Sequence, residues 1–65
     1  MKAGEKLRKL RLREGKSQTE VARAVFISDS ALSSYENEDR IPRDDVKQRL
    51  ANYFGKTVGE IFFNE

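Results

Sequence analysis

Apolar residues along this 65-residue chain return at spacings of three and four, and they group into five short runs. In the first, Leu7, Leu10 and Glu14 share one side with Ala3 a turn earlier, a short inward stripe that predicts a helix. Gly15 follows, the residue type that most readily takes the left-handed backbone ending many helices. Ser17-Gln18-Thr19-Glu20 then fits a capping box. There the Ser17 hydroxyl bonds the Glu20 backbone N–H and the Glu20 side chain reaches back to Ser17. A second helix is expected from that point, with Val21, Ala22 and Val25 as its inner face. Phe26-Ile27 should form a turn, and Ser28 suits the N-cap of a third helix. In that helix Leu32 and Tyr35 point inward with Ile27. Asp29, Ser30, Ser33, Ser34 and Asn37 take the opposite, exposed side.

Glu38 to Pro42 reads as a loop, with Ile41 expected to tuck in and Pro42 barring helix continuation. A fourth helix is predicted from Arg43 or Asp44 to Phe54, its inner stripe Val46, Leu50, Tyr53 and Phe54. Asp44 and Asp45 suit the positive end of its dipole, and Gly55 closes it. Thr57-Val58-Gly59-Glu60 is a second capping box, opening a brief fifth helix that contributes Val58, Ile61 and Phe62. No segment alternates with strand period for long enough to suggest a sheet. The expected fold is all-α: a compact bundle of about five short helices, forming one domain over residues 1–65, without repeats or linkers.

The formal net charge is only +2, but its distribution is uneven. Residues 1–16 carry Lys2, Lys6, Arg8, Lys9, Arg11, Arg13 and Lys16 against Glu5 and Glu14, while acidic residues outnumber basic ones in the remainder. Clustered cations suit a polyanion partner, and equally a solvated helix face. The chain has no cysteine and no histidine, which excludes disulfides and the usual zinc-ligand sets. Together with the lack of a phosphate-cradling glycine loop, this argues against an enzyme. It also gives no reason to expect a metal, a cofactor or a small-molecule ligand. No apolar run approaches the roughly 20 residues of a membrane span, and the charged start is unlike a signal peptide. A soluble, cytoplasmic protein is expected, in keeping with the absence of cysteine.

Two helices joined by a short turn are common; the residue types at defined offsets are more telling. Val21, Val25, Ile27, Leu32 and Tyr35 are apolar where a tight helix-turn-helix packs internally, and Ala22 is small where its helices meet. With Leu10-Arg11, Ser17-Gln18, Ile27-Ser28, Ser34-Tyr35-Glu36-Asn37, Pro42, Leu50-Ala51, Phe54-Gly55 and Thr57 to Phe62, the chain resembles the λ-repressor-like (XRE-type) helix-turn-helix family of phage and bacterial regulators. The resemblance runs from about Leu7 to Phe62. It implies a helix-turn-helix unit at about residues 18–37, whose second helix, from about residue 28, reads the major groove.

The resemblance further implies site roles. Asp29, Ser30, Ser33 and Ser34 match positions that contact base edges. Gln18, Ser28, Asn37 and Arg40 match phosphate-contacting positions, and Arg43 could add another backbone contact. Arg11 and Glu36 match a pair that forms an internal salt bridge. Apart from this pair, the same residues would also fit a merely solvated surface. The implied function is sequence-specific binding of double-stranded operator DNA as a transcriptional regulator, a repressor of phage, mobile-element or bacterial genes in a bacterial or phage-infected cell. Family members bind as homodimers on half-sites roughly 34 Å apart. Ile61, Phe62 and Phe63 are a candidate dimer surface, because Phe62 and Phe63 cannot both face one small core; alternatively the terminal helix folds back on its own bundle. In length the chain resembles short Cro-type regulators, or the N-terminal half of a larger repressor.

Two departures from the family pattern stand out. Phe26 occupies the turn where glycine is usual, so that turn is either strained by about 1–2 kcal/mol or built differently. The reading helix also has no Lys, Arg, Gln or Asn before Asn37, the usual bidentate partners of guanine and adenine. Specificity would then lean partly on DNA shape and on backbone-positioning contacts. An adaptor or antitoxin that uses the same fold to hold a protein partner is the alternative.

Overall fold

All the helices but one begin where a side chain accepts from a free N–H group of the first turn, and most end where the chain turns left-handed. The computed structural model describes residues 1–63. Its helices are α1 (Ala3–Arg13), α2 (Gln18–Ala24), α3 (Asp29–Glu36), α4 (Asp44–Phe54) and α5 (Val58–Phe62), with no strand among the described residues. The α2 capping box is reciprocal: Ser17 Oγ accepts the Glu20 N–H at 3.0 Å and Glu20 Oε1 accepts the Ser17 N–H at 2.9 Å. Thr57 and Glu60 repeat this at α5, at 3.0 and 2.8 Å. The backbone N–H bond at each box holds the Glu20 and Glu60 carboxyl groups below their ordinary pKa. Ser28 Oγ caps α3 by accepting the Ala31 N–H at 3.0 Å. Gly15 and Gly55 both take φ of 68°, turning the chain after α1 and α4.

The helices enclose one core. Leu7 of α1, Val21 and Ala22 of α2, Leu32 of α3, Leu50 and Ala51 of α4 and Ile61 of α5 are almost completely removed from solvent. Against this core, α1 packs on α3 and α5, α2 on α3, and α4 on α5. α1 comes close to the end of α3 at Gly4, where a Cβ would run into the backbone oxygens of Tyr35 and Glu36 and the Glu38 carboxylate. That space lets Glu38 Oε2 accept the Gly4 N–H at 2.6 Å, so a carboxylate and the carbonyl end of α3 meet the positive end of α1. No helix among the described residues is long and apolar enough to cross a membrane.

Several positions differ from the sequence pattern. Ile41 does not tuck in; it is 83% exposed, and Pro42 is buried instead. Neighbouring residues of an extended segment face opposite ways, so burying Pro42 turns Ile41 and Arg43 outward. Ser33 and Ser34 are half-buried rather than exposed. The loop folds back over this end of α3, where the Ser34 carbonyl accepts the Asp39 and Arg40 N–H groups at 2.9 and 3.4 Å. Glu14, placed by spacing on the inward stripe, is exposed at the C-terminal cap of α1, and Arg11 is buried there instead. Ala51 is a core residue that the apolar stripe of α4 did not include.

Replacing Gly4 by Ala is expected to destabilise the bundle by about 1–3 kcal/mol, the usual cost of forcing a methyl group into filled space. Denaturant unfolding measures this. A midpoint equal to wild type would show that α1 can shift away from α3 without penalty.

Candidate nucleic-acid interface

A buried ion pair joins the first three helices and sets the pose of α3. Arg11 grips Glu36 with two parallel bonds, Nε to Oε2 at 2.8 Å and Nη2 to Oε1 at 3.0 Å. The two side chains are only 11% and 2% exposed. Arg11 Nη1 also donates to the Lys16 carbonyl, at 3.0 Å. Gln18 Nε2, at the start of α2, donates to Glu36 Oε1 at 3.0 Å. The hydrogen bonds to Glu36 raise the Arg11 pKa against the opposing effect of burial. Truncating either partner would strand a buried charge, at a cost of roughly 3–5 kcal/mol.

The turn between α2 and α3 carries the strain that glycine would avoid. Phe26 has φ of 62° and its ring is 83% exposed, so the left-handed geometry is retained and the ring packs into no core. The turn is tied on both sides. The Ile27 N–H donates to the Ala22 carbonyl at 2.9 Å. From α4, Arg49 Nη1 donates to the carbonyls of Val25 and Phe26 at 2.9 and 3.4 Å, while its Nη2 pairs with Asp45 at 3.1 Å. Arg49 was missed in the sequence. The four-residue spacing from Asp45 was visible as a possible helix pair, but nothing local shows that the guanidinium also reaches the turn. Glu38 escaped notice for the same reason, being brought to Gly4 only by the fold.

The outer side of α3 is lined by short polar groups. Asp29, Ser30 and Asn37 are exposed, with Ser33 and Ser34 half-buried beside them. Asp29 is not free-standing: its Oδ2 accepts the Thr19 hydroxyl at 2.7 Å, joining the N-terminal ends of α2 and α3. Gln18, Ser28, Asp29 and Ser30 all lie at or within the first turns of α2 and α3. Asn37 and Arg40 lie at and beyond the other end of α3. The Arg40 guanidinium stands over the Tyr35 ring at 5.7 Å, and exposed Arg43 precedes α4.

The candidate dimer residues separate. Ile61 is 2% exposed and belongs to the core, because it lies on the side of α5 that faces α1 and α4; it is not available as a surface. Phe62 is half-buried, and Phe63 is 61% exposed. Both rings lie near the Lys47 ammonium, at 5.6 and 5.1 Å.

A short α2, a left-handed turn and a polar-faced α3 braced by α1 define a helix-turn-helix. A family model described as helix-turn-helix matches residues 7–61, and the chain belongs to that family. Among solved structures, the P22 c2 repressor in complex with a synthetic operator is similar over 100% of this chain and 98% of that one. Its TM-score is 0.95 at 18% identity. The clp gene regulator ClgR from Corynebacterium glutamicum is similar over 91% of this chain and 63% of its own, with a TM-score of 0.83 at 24% identity. At these identities the likeness concerns the fold. No curated protein sequence matches the chain.

Replacing Phe26 by Gly should stabilise the domain by about 1 kcal/mol, the left-handed penalty less the backbone entropy glycine brings. Thermal unfolding tests this. A lower melting temperature would mean that the exposed ring makes a contact worth more than the strain it imposes.

Proposed function

We propose that the chain is a sequence-specific double-stranded DNA-binding protein that regulates transcription by occupying an operator, with α3 lying in the major groove. The observation that carries this reading is the exposed polar face of α3, held in one orientation by the Arg11–Glu36–Gln18 cluster. One neighbour similar over the whole length of this chain, the P22 c2 repressor, is described in complex with a synthetic operator. In this reading Asp29, Ser30, Ser33 and Ser34 meet base edges, while Gln18, Ser28, Asn37, Arg40 and Arg43 meet phosphates. Gln18 has one amide proton left after bonding Glu36, enough for a phosphate oxygen.

This face discriminates weakly through hydrogen bonds. Asp29 can accept from cytosine N4 with the oxygen that Thr19 leaves free, and serine hydroxyls suit any base. Specificity therefore comes in part from DNA shape, which phosphate contacts help to read by fixing the register without themselves distinguishing sequences. Selection from a random duplex pool should yield a consensus, and affinity should fall with salt at a slope of about −0.9 per phosphate contacted. Gln18→Ala should weaken all duplexes alike, whereas Ser34→Ala should leave the ranking of sites largely unchanged. Loss of all discrimination in Ser34→Ala would refute the shape argument, and no binding to any duplex would refute the function.

The protein acts as a homodimer, at least on DNA, in the cytoplasm. Exposed Ile41 and Phe63 flank a cleft of about 280 Å³ that also involves Pro42, Lys47 and Phe62, an apolar surface suited to a second copy. Sedimentation of wild type and Phe63→Glu, alone and with operator, reports on this. Two copies of wild type per operator and one of the variant is the expected result; identical stoichiometry rules out Phe63 as the contact.

A further inference from the structure

Apart from Arg11, which pairs with Glu36 of α3, the positive charge of the first helix is not spent at the reading helix, and its geometry shows where much of it points. Gly4, Leu7 and Arg11 form the buried side of α1. Lys6, Lys9 and Arg13 each come two residues later, about 200° further round a helix of 3.6 residues per turn. They lie along the side of α1 turned away from α3. There α1, α5 and the residue before α5's cap border an open cleft of about 370 Å³. Lys6, Lys9, Arg13 and Lys56 ring it, and no carboxylate lies within ion-pair distance of these four among the described residues.

The lining is not simply basic. Leu10 is half-buried and packs on the core beside Ile61, and Met1 is exposed at the rim, so the cleft has an apolar floor and edge. Lys6 is held in place, its ammonium donating to the Glu60 carbonyl at 2.9 Å. The one carboxylate in the lining, that of Glu60, is engaged with the Thr57 N–H at 2.8 Å. Three cations in one stripe and a fourth across the cleft surround a surface that an apolar side chain can cover.

We propose that this cleft is a docking site for an acidic, amphipathic segment of a partner protein. One apolar side chain of the segment rests on Leu10 and Met1, and carboxylates on either side of it reach Lys9 and Arg13 on one wall and Lys56 on the other. Charge complementarity calls for an anion, and the apolar floor favours a peptide, whose aliphatic side chain can cover it, over a nucleic-acid backbone, whose sugars offer no such projecting apolar group. The site is on the opposite side of α1 from α3, so its occupant leaves the reading face open. The inference stands whether or not α3 binds DNA.

A heteronuclear NMR titration of the whole chain tests this with a synthetic peptide that alternates Glu pairs with Leu. Poly-glutamate of equal charge and an oligothymidine of equal charge serve as comparisons. Saturating shifts confined to α1, Lys56 and α5 are expected with the Glu–Leu peptide, and weaker binding of both comparisons. The exposed pair Lys9→Glu/Arg13→Glu should reduce peptide affinity by about tenfold or more, and Lys9→Gln/Arg13→Gln by less, both with unchanged circular dichroism. The proposal is overturned by shifts that do not saturate or that spread beyond the cleft. It is equally overturned if poly-glutamate binds as tightly, which would leave charge alone, or if oligothymidine binds more tightly, which would make this a nucleic-acid surface.

Discussion

Burying a guanidinium beside a carboxylate is tolerable only when each of their buried polar atoms finds a partner, and the architecture of this domain follows from meeting that condition. The Arg11–Glu36 fork uses the two carboxylate oxygens in parallel, and the Lys16 carbonyl and the Gln18 amide add one further bond to each partner. No buried side-chain nitrogen or oxygen among the described residues is left without a partner. An apolar trio of similar volume could pack the same space with no less stability. It would not fix the rotation of α3 about its own axis, because dispersion contacts are not directional. The charged cluster specifies one orientation, and that orientation decides which side of α3 faces out.

Secondary restraints follow the same logic at both ends of α3. The two described non-glycine residues with positive φ, Phe26 and Glu38, sit in the loops before and after it. Each is held by an element distant in sequence, Arg49 of α4 bonding the carbonyls at Phe26 and Gly4 of α1 donating to Glu38. Local strain of this kind persists only where surrounding bonds over-determine the conformation. Both loops are thus clamped to the scaffold, and α3 is positioned by its ends as well as by its buried face.

Much of this was legible in the sequence wherever the governing physics is local. The starts of α2, α3 and α5 could be read because Ser17, Ser28 and Thr57 bond N–H groups three residues away. The ends at Gly15 and Gly55 follow from backbone conformation alone. The inner faces of α2 and α3 followed from spacing. What failed depended on tertiary placement. Hydropathy favoured burying Ile41, but the extended loop alternates, and the rigid Pro42 took the inward position. Hydropathy also gave no hint that Ser34 would be half covered by a returning loop. Ile61 was grouped with Phe62 and Phe63 as surface because three apolar neighbours look alike in one dimension, whereas on a helix each faces its own way. Arg49, Glu38 and Thr19 are ordinary surface types until the fold brings them to their partners.

The short side chains on the outside of α3 have one more consequence, in cross-section rather than chemistry. A helix with average side chains is about 10–12 Å across, close to the roughly 12 Å width of a major groove. With serine and aspartate outermost, α3 is thinner than that on its exposed side. If α3 enters the groove as proposed, its backbone would approach the base pairs more closely than a helix carrying arginine or glutamine, which must stand off by the length of its own side chains. Depth of insertion would then replace reach, and the width of the groove at each sequence would be the dimension that such a helix measures.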